Sequence, residues 1–347
     1  MESLDIKSLY EEELAQELKS LGLPGFRAKQ IFEWLHVKLA TSYEEMSNLP
    51  KNLREVLNEK YPITALLQAD ALHSQTDQTA KYLFRLQDDR VIESVLMKYH
   101  HGNSVCISSQ VGCRMGCKFC ASTIGGKERD LLPSEMLDQI YRIQALSGER
   151  VSNIVVMGTG EPLDNYENLI RFLKLITNEK GLNISARNIT VSTCGIPDRI
   201  RDFANEGLPI TLALSLHAPN NEIRKQLMPI ASKYELSEVL EAFEYYYEKT
   251  GRRLTFEYSL VDGVNDEEEH ARELSKLVKG INCHINLIPV NPIKERNYRK
   301  SDSRKIQNFK FILEKNRINV TIRREMGTDI DAACGQLRKS YIDKNSL

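Results

Sequence analysis

The chain has 347 residues, 41% of them hydrophobic and 27% charged, with a formal net charge of −1. That composition excludes a disordered or low-complexity chain, and its near-neutral balance gives no global attraction to nucleic acid, so any RNA contact must rest on local basic patches. No apolar run approaches the ~20 residues needed to cross a bilayer, and the acidic start MESLDIKSLYEEEL lacks the basic and apolar regions of a secretory signal. A cytoplasmic protein with no membrane partner is expected.

Residues 1 to about 65 read as helices with short connections. Residues 11–21 repeat apolar positions at helical spacing, Gly22-Leu23-Pro24-Gly25 breaks the pattern, and residues 26–35 form a second amphipathic run with Arg27, Lys29 and Lys38 near its polar side. Two readings of this pair stay open: phosphate contact at the second helix, or an ordinary hairpin with a solvated face. Residues 79–99 alternate as strands and turn through Gln87-Asp88-Asp89.

From Val105 onward, strands and helices alternate. Strands are expected at 105–109, 153–157, 188–192, 210–217, 253–260 and 283–290. Helices fall at 134–147, 166–178, 197–205, 236–249 and 266–278, and a last one at 302–315 leads to Asn319-Val320-Thr321-Ile322. Six βα units in series imply a parallel sheet with helices outside, too short for a closed eight-stranded barrel. The expected fold class is α/β: a partial (β/α)6 TIM-like barrel with a small helical N-terminal accessory domain. The domains are expected at 1–95, helical with a β-hairpin extension; at 96–322, the barrel; and at 323–347, a C-terminal segment. In such barrels the chemistry gathers at the carboxyl ends of the strands.

Four of the seven cysteines, Cys106, Cys113, Cys117 and Cys120, crowd one short segment, while Cys194, Cys283 and Cys334 are scattered. An odd count in a cytosolic chain argues for metal or redox chemistry over a disulfide framework. Cys113, Cys117 and Cys120 have the spacing C-x3-C-x2-C directly after the first barrel strand. Three thiolates on one loop can hold three irons of a cubane and leave the fourth open to a small molecule, whereas ferredoxin-type sites saturate all four. Gly112 and Gly116 suit the tight wrap. The rival is a structural zinc site with Cys106 as fourth ligand, which the spacing disfavours.

Polar residues fall at the other strand ends: Gly160 and Glu161 after the second strand, Ser192 after the third, Ser215 and His217 around Leu216 after the fourth, and Asn291 after the sixth. A glycine turn admits close approach of a ligand, a carboxylate can pair with an ammonium group, and hydroxyl, imidazole and amide groups suit a nucleoside. Each taken alone is an ordinary turn residue. Basic residues gather at Lys294-Glu295-Arg296-Asn297-Tyr298-Arg299-Lys300 and at Arg323-Arg324, a pattern suited to RNA phosphates with Tyr298 for stacking.

The signature C-x3-C-x-aromatic-C, with Phe119 as the aromatic, resembles that of radical S-adenosylmethionine (SAM) enzymes. Cys106-Ile107-Ser108-Ser109-Gln110-Val111-Gly112-Cys113, Met157-Gly158-Thr159-Gly160-Glu161-Pro162-Leu163, Leu214-Ser215-Leu216-His217-Ala218-Pro219 and Gly327-Thr328-Asp329-Ile330-Asp331-Ala332-Ala333-Cys334-Gly335-Gln336-Leu337 together resemble the RlmN family of RNA adenine-C2 methyltransferases. Thr159 departs from the methionine common there. The resemblance implies a [4Fe-4S] cluster on Cys113, Cys117 and Cys120. It implies SAM contacts at Phe119, Gly160, Glu161, Ser192, Ser215, Leu216, His217 and Asn291. It makes Cys334 the methyl carrier, Cys106 its disulfide partner and Glu93 a proton acceptor, with two SAM consumed per turnover. The implied substrates are 23S rRNA at adenine 2503 and tRNA at adenine 37. An external reductant would serve the cluster and the Cys106–Cys334 disulfide, and a monomer is expected. The alternatives are adenine-C8 methylation of the Cfr type, and a non-enzymatic RNA-binding protein with a structural cysteine metal site. Cys194 and Cys283 match no functional position and are expected in packing.

Overall fold

In a computed structural model that describes residues 5–100 and 102–337, the chain opens with helices α1 (Glu11–Ser20), α2 (Arg27–His36) and α3 (Lys51–Lys60). Strands β1 (Leu67–His73), β2 (Ala80–Arg85), β3 (Val91–Tyr99) and β4 (Gly102–Ile107) follow. A short ribbon of β5 (Gln110–Gly112) and β6 (Lys127–Asp130) brackets the cysteine loop. The barrel then alternates α4 (Pro133–Ser147), β7 (Val151–Val156), α5 (Tyr166–Ile176), β8 (Ile189–Thr193), α6 (Pro197–Asn205) and β9 (Thr211–Ser215). It closes with α7 (Asn221–Leu227), α8 (Leu236–Thr250), β10 (Leu254–Leu260), α9 (Glu268–Leu277), β11 (Cys283–Pro289), α10 (Ser303–Lys315) and β12 (Asn319–Ile322).

Ten strands form one sheet in the order β1-β2-β3-β4-β7-β8-β9-β10-β11-β12. From β4 to β12 every pair is parallel, so the expected six units are present and β12 adds a seventh parallel strand. The α/β partial barrel is therefore the observed architecture. The helices bury their apolar faces on it, as with Leu169, Phe172, Leu173 and Ile176 of α5, all under 1% exposed. Local signals set the ends: in α4, Pro133 opens the helix, Glu135 accepts from Leu132 N at 2.9 Å, and Gly148 stops it at φ +67°.

The strands before β4 are not a detached hairpin. β3 pairs antiparallel with β4 from Val95↔Cys106 to Tyr99↔Gly102, so the boundary expected after residue 95 falls inside a continuous strand. Sequence periodicity showed neither β1, the β5–β6 ribbon nor α7. The helical N-terminus is fastened to the barrel by a buried ion pair, Lys7 Nζ to Asp138 Oδ1 at 2.7 Å, with Leu66 N on the other carboxylate oxygen at 2.7 Å. Breaking such a buried pair by removing one partner costs about 3–5 kcal/mol. Glu13 holds Arg171 of α5 through both carboxylate oxygens, and His36 meets Tyr141 of α4 at 2.9 Å.

Candidate active site

An open cleft of about 940 Å3 lies at the carboxyl ends of the barrel strands, lined by the cysteine loop, the strand-end residues and the tip of the C-terminal segment. The loop is shaped by its glycines. Gly112 sits at φ +73°, and a Cβ there would come within 1.9 Å of the Gly126 carbonyl, so only glycine fits. Cys113 N donates to that same Gly126 oxygen at 3.1 Å, and Thr123 Oγ1 donates to the carbonyls of Cys117 and Cys120 at 3.1 and 2.9 Å. Cys113, Cys117 and Cys120 all line the cleft. Burial pushes all three thiols up, Cys113 to about 12, and nearby thiols add to the rise: Cys120 at Cys113, Cys113 and Cys120 at Cys117, and Cys334 at Cys120. These sulfurs become thiolates only against a strong cationic partner, the demand a metal cluster meets.

Among the described residues, no three His, Cys, Asp or Glu side chains stand close enough to hold a single metal ion. The all-thiol donor set on one loop fits the cluster.

Opposite the loop, Gly160 at φ +113° brings the backbone so near Ser109 and Gln110 that a Cβ would lie 2.7 Å from each. Glu161 is buried, its carboxylate accepting from Cys194 N at 2.8 Å and Leu163 N at 3.0 Å. Burial pushes this carboxyl up while those hydrogen bonds pull it down. The side chains of Thr193 and Cys194 also hydrogen-bond to this carboxylate. The hydroxyls of Ser192 and Ser215 meet at 3.3 Å on adjacent strands. His217, at φ +55°, accepts from Ser259 N through Nδ1 at 2.9 Å, which places the neutral ring's proton on Nε2. Burial, with Arg224 nearby, pushes its pKa down to about 3, so it stays neutral at physiological pH and is no proton carrier. Phe119 packs edge-on against it at 4.9 Å. Leu216 differs: its side chain is fully buried in the main core, and the residue is not part of the cleft lining.

The C-terminal segment closes the cleft. Ala121 N donates to Gly335 O at 2.8 Å, Ser122 Oγ to Leu337 O at 2.9 Å, and Asn291 Nδ2 to Cys334 O at 3.0 Å. Its other flank is held by the strands that precede the barrel. Gly327 N donates to Asp77 at 3.0 Å, and Lys81 Nζ donates to Asp331 O at 3.1 Å. Residues 338–347 of the expected C-terminal segment lie outside the described residues. A second cavity of about 710 Å3 adjoins the first and is lined by Val95, Met97, Tyr99, Cys106, Ala332 and Ala333. Cys334, Asn291 and Arg323 line both cavities. Burial and the nearby Cys334 push the Cys106 thiol up to about 12.

Glu93 lines neither cavity. It is buried on β3 in an ion pair with Lys81 at 3.3 Å, on the same strand face as Val95, the register partner of Cys106. Arg323, read from sequence as part of an RNA-facing pair, turns inward, 3.8 Å from Glu257 Oε2 and 3.8 Å from Met157 Sδ, while Arg324 is exposed. In the basic loop Arg296 and Arg299 are exposed, and Lys300 is paired with Glu325. Sequence reasoning missed Glu257, Met157 and Arg323 as cleft residues. It placed Cys194 in packing, although Cys194 also lines the cleft.

A partial parallel barrel carrying three loop thiols at its carboxyl edge defines a radical SAM enzyme, and residues 107–274 match the radical SAM superfamily. Residues 4–63 match the ribosomal RNA large subunit methyltransferase N-terminal domain. The chain is 66% identical to a probable dual-specificity RNA methyltransferase RlmN of Lachnoclostridium phytofermentans, covering 100% of this chain and 97% of the relative. It is 62% identical to that of Lachnospira eligens, covering 98% and 97%. A radical SAM methyltransferase from Sphaerobacter thermophilus superposes with a TM-score of 0.93 at 42% identity, covering 97% of this chain and 99% of that one. The chain belongs to the RlmN family of dual-specificity RNA methyltransferases. Its cofactors are those of the superfamily, a [4Fe-4S] cluster and SAM. Among the described residues no helix is long and apolar enough to cross a membrane.

Proposed function

We propose that this protein methylates C2 of adenine in 23S rRNA and tRNA, with Cys334 carrying the methyl group between two chambers. The observation that carries this reading is the position of Cys334 in the shared wall of the two cavities, with the cysteine loop on one side and Cys106 on the other. Adenine C2 has no proton acidic enough to remove at neutral pH, so direct nucleophilic attack on SAM cannot methylate it. Cys113, Cys117 and Cys120 hold the cluster. When bound, the cluster supplies the single electron that cleaves SAM to a 5′-deoxyadenosyl radical able to activate an inert methyl group.

Glu161 receives the SAM ammonium, and that cation compensates the cost of the buried carboxylate. Ser192, Ser215 and the backbone around Leu216 and His217 hold the ribose and adenine, Phe119 covers the ring, and Gly160 and Asn291 complete the pocket. Cys334 gives up its proton and takes a methyl group from a first SAM, leaving S-adenosylhomocysteine. Once the S-methyl group has given one hydrogen atom to that radical, forming 5′-deoxyadenosine, and its carbon has bonded to C2 with loss of the C2 proton and of one electron that the oxidised cluster would take back, Cys106 attacks the Cys334 sulfur. The sulfur–carbon bond breaks toward the product, a proton completes the methyl group, and a Cys106–Cys334 disulfide remains for two external electrons to reduce. Cys106 is almost wholly a thiol at neutral pH, so the attack needs a proton acceptor, the role proposed for Glu93, which shares a strand face with Val95, the register partner of Cys106. The protein acts as a monomer with a separate reductant.

The test is anaerobic turnover of the iron-loaded protein with SAM and a 23S rRNA fragment or tRNA, with nucleosides resolved by mass spectrometry. 2-Methyladenosine is expected. 8-Methyladenosine would reassign the pose of the base, and bound zinc without iron would remove the radical reading.

A further inference from the structure

A buried cation without an anion stands behind the cysteine loop. Arg224 of α7 is 0% exposed. Its Nη2 donates to Cys194 O at 2.6 Å and Ser215 O at 3.4 Å, and Nε donates to Leu216 O at 3.3 Å. Nη1 is buried with no hydrogen-bond partner among the described residues. Carbonyls satisfy donors but leave the charge in place, and a buried charge is costly unless an opposite charge compensates it. The titratable groups beside it are His217 and the thiols of Cys194 and Cys117, and Cys117 packs against the apolar cluster that contains Cys194, whose carbonyl Arg224 holds. The same element braces the loop: Lys118 N donates to Leu227 O at 2.9 Å, and Gly116 packs against Pro229 just beyond the helix.

Of the two thiols, Cys117 belongs to the C-x3-C-x2-C loop and becomes anionic on binding iron. We infer that Arg224 is a positioning residue whose fixed positive charge behind Cys117 raises the reduction potential of the cluster held by Cys113, Cys117 and Cys120. The inference rests on the proposed assignment of those three ligands. Reduction adds one negative charge to the cluster, so a nearby fixed cation stabilises the reduced form more than the oxidised one. At an effective dielectric near 20, a unit charge several ångströms away changes such an equilibrium by about tenfold or more.

The experiment compares R224M, R224Q and R224K with the wild type after anaerobic reconstitution. It measures iron and sulfide content, the midpoint potential by EPR-monitored titration without SAM, and SAM affinity separately. R224M and R224Q should carry a normal cluster that is about tenfold harder to reduce, a shift of about 59 mV to more negative potential for a one-electron couple. R224K keeps the charge and should lie close to the wild type. Loss of the cluster from R224M and R224Q with retention in R224K also supports the charge, because the cation is then needed to hold it. Unchanged potentials in the neutral variants overturn the inference, as does an equal shift in R224K or loss of the cluster from all three. Weakened SAM binding at constant potential overturns it too, and moves Arg224 to the SAM carboxylate. A wild type without four-iron content overturns the ligand assignment itself, recognisable before any variant is made.

Discussion

Replacing Cys106 by Ala should turn the protein into a covalent trap. Cys106 is 8% exposed on β4, packed with Val95, Met97, Met326, Ala332 and Leu337. The substitution removes one sulfur at the edge of a cavity, a cost of about 1 kcal/mol. With an unfolding entropy near 2.1 cal/mol/K per residue, the 347 residues give about 0.7 kcal/mol/K, so the melting temperature should fall by only about 1–2 °C. The fold, the iron content and methyl loading of Cys334 should therefore survive, and only the release step should fail. In an anaerobic single turnover with labelled RNA, the label should follow the protein through denaturing electrophoresis. After nuclease digestion, a nucleotide-sized addition should map to the peptide containing Cys334. Cys334→Ala should give neither product nor adduct. A folded, iron-loaded Cys106→Ala protein that forms no adduct, or one modified at Cys194 or Cys283, would refute the division of roles.

With Cys106 held at about 12, only about one molecule in 10^4 is thiolate at pH 8. Glu93→Gln should therefore make product release climb about tenfold per pH unit between about pH 7 and 9, and a flat profile in that variant removes the proton-acceptor role. Gly112→Ala should lose iron, since its Cβ meets the Gly126 carbonyl at 1.9 Å, whereas Gly207→Ala, also at positive φ but with nothing within 4 Å, should keep it; equal iron contents would contradict the account of the loop. His36 and His217 are both held at about 3 against 6.5 when unfolded. The unfolded chain binds protons that the native state refuses, so their contribution is complete above 6.5 and is lost as pH falls toward 3, by about 1.4 kcal/mol per pH unit each. Urea midpoints at pH 7 and 5.5 should show this loss, and His36→Phe should lessen it; an identical loss in the variant would count against a neutral buried His36. Neutralising Arg296 or Arg299 should lower the salt slope of RNA binding by about one unit with SAM cleavage unchanged, and an unaltered slope would return the loop to plain surface.

Much of the barrel was legible because each βα unit is locally encoded. A short β-branched run, a glycine or proline break and an amphipathic stretch recur from β4 to α10, and neither strand nor helix needs distant information to declare its type. The C-x3-C-x2-C spacing is equally local, since one loop carries all three thiols. The strand-end residues were legible once the strands were placed, because parallel connectivity puts every carboxyl end on one edge.

What the sequence determined by itself was the class of elements, their order and the cysteine loop with its chemistry. The tertiary structure decided which distant residues meet. β3 joins β4 as an antiparallel neighbour, so residues expected in an accessory hairpin hold Lys81 and Asp77 against the segment that bears Cys334. Arg323 turns toward Glu257 and not toward solvent, Leu216 sinks into the core while its neighbours line the cleft, and Arg224 lies buried behind the loop. The physical reason is that periodicity records whether a side chain faces apolar or aqueous surroundings, averaged over its own turn or pleat. It carries no record of a buried charge or thiol whose partner comes from a separate element, because that pairing exists only after the sheet has curved and its loops have packed on the open edge.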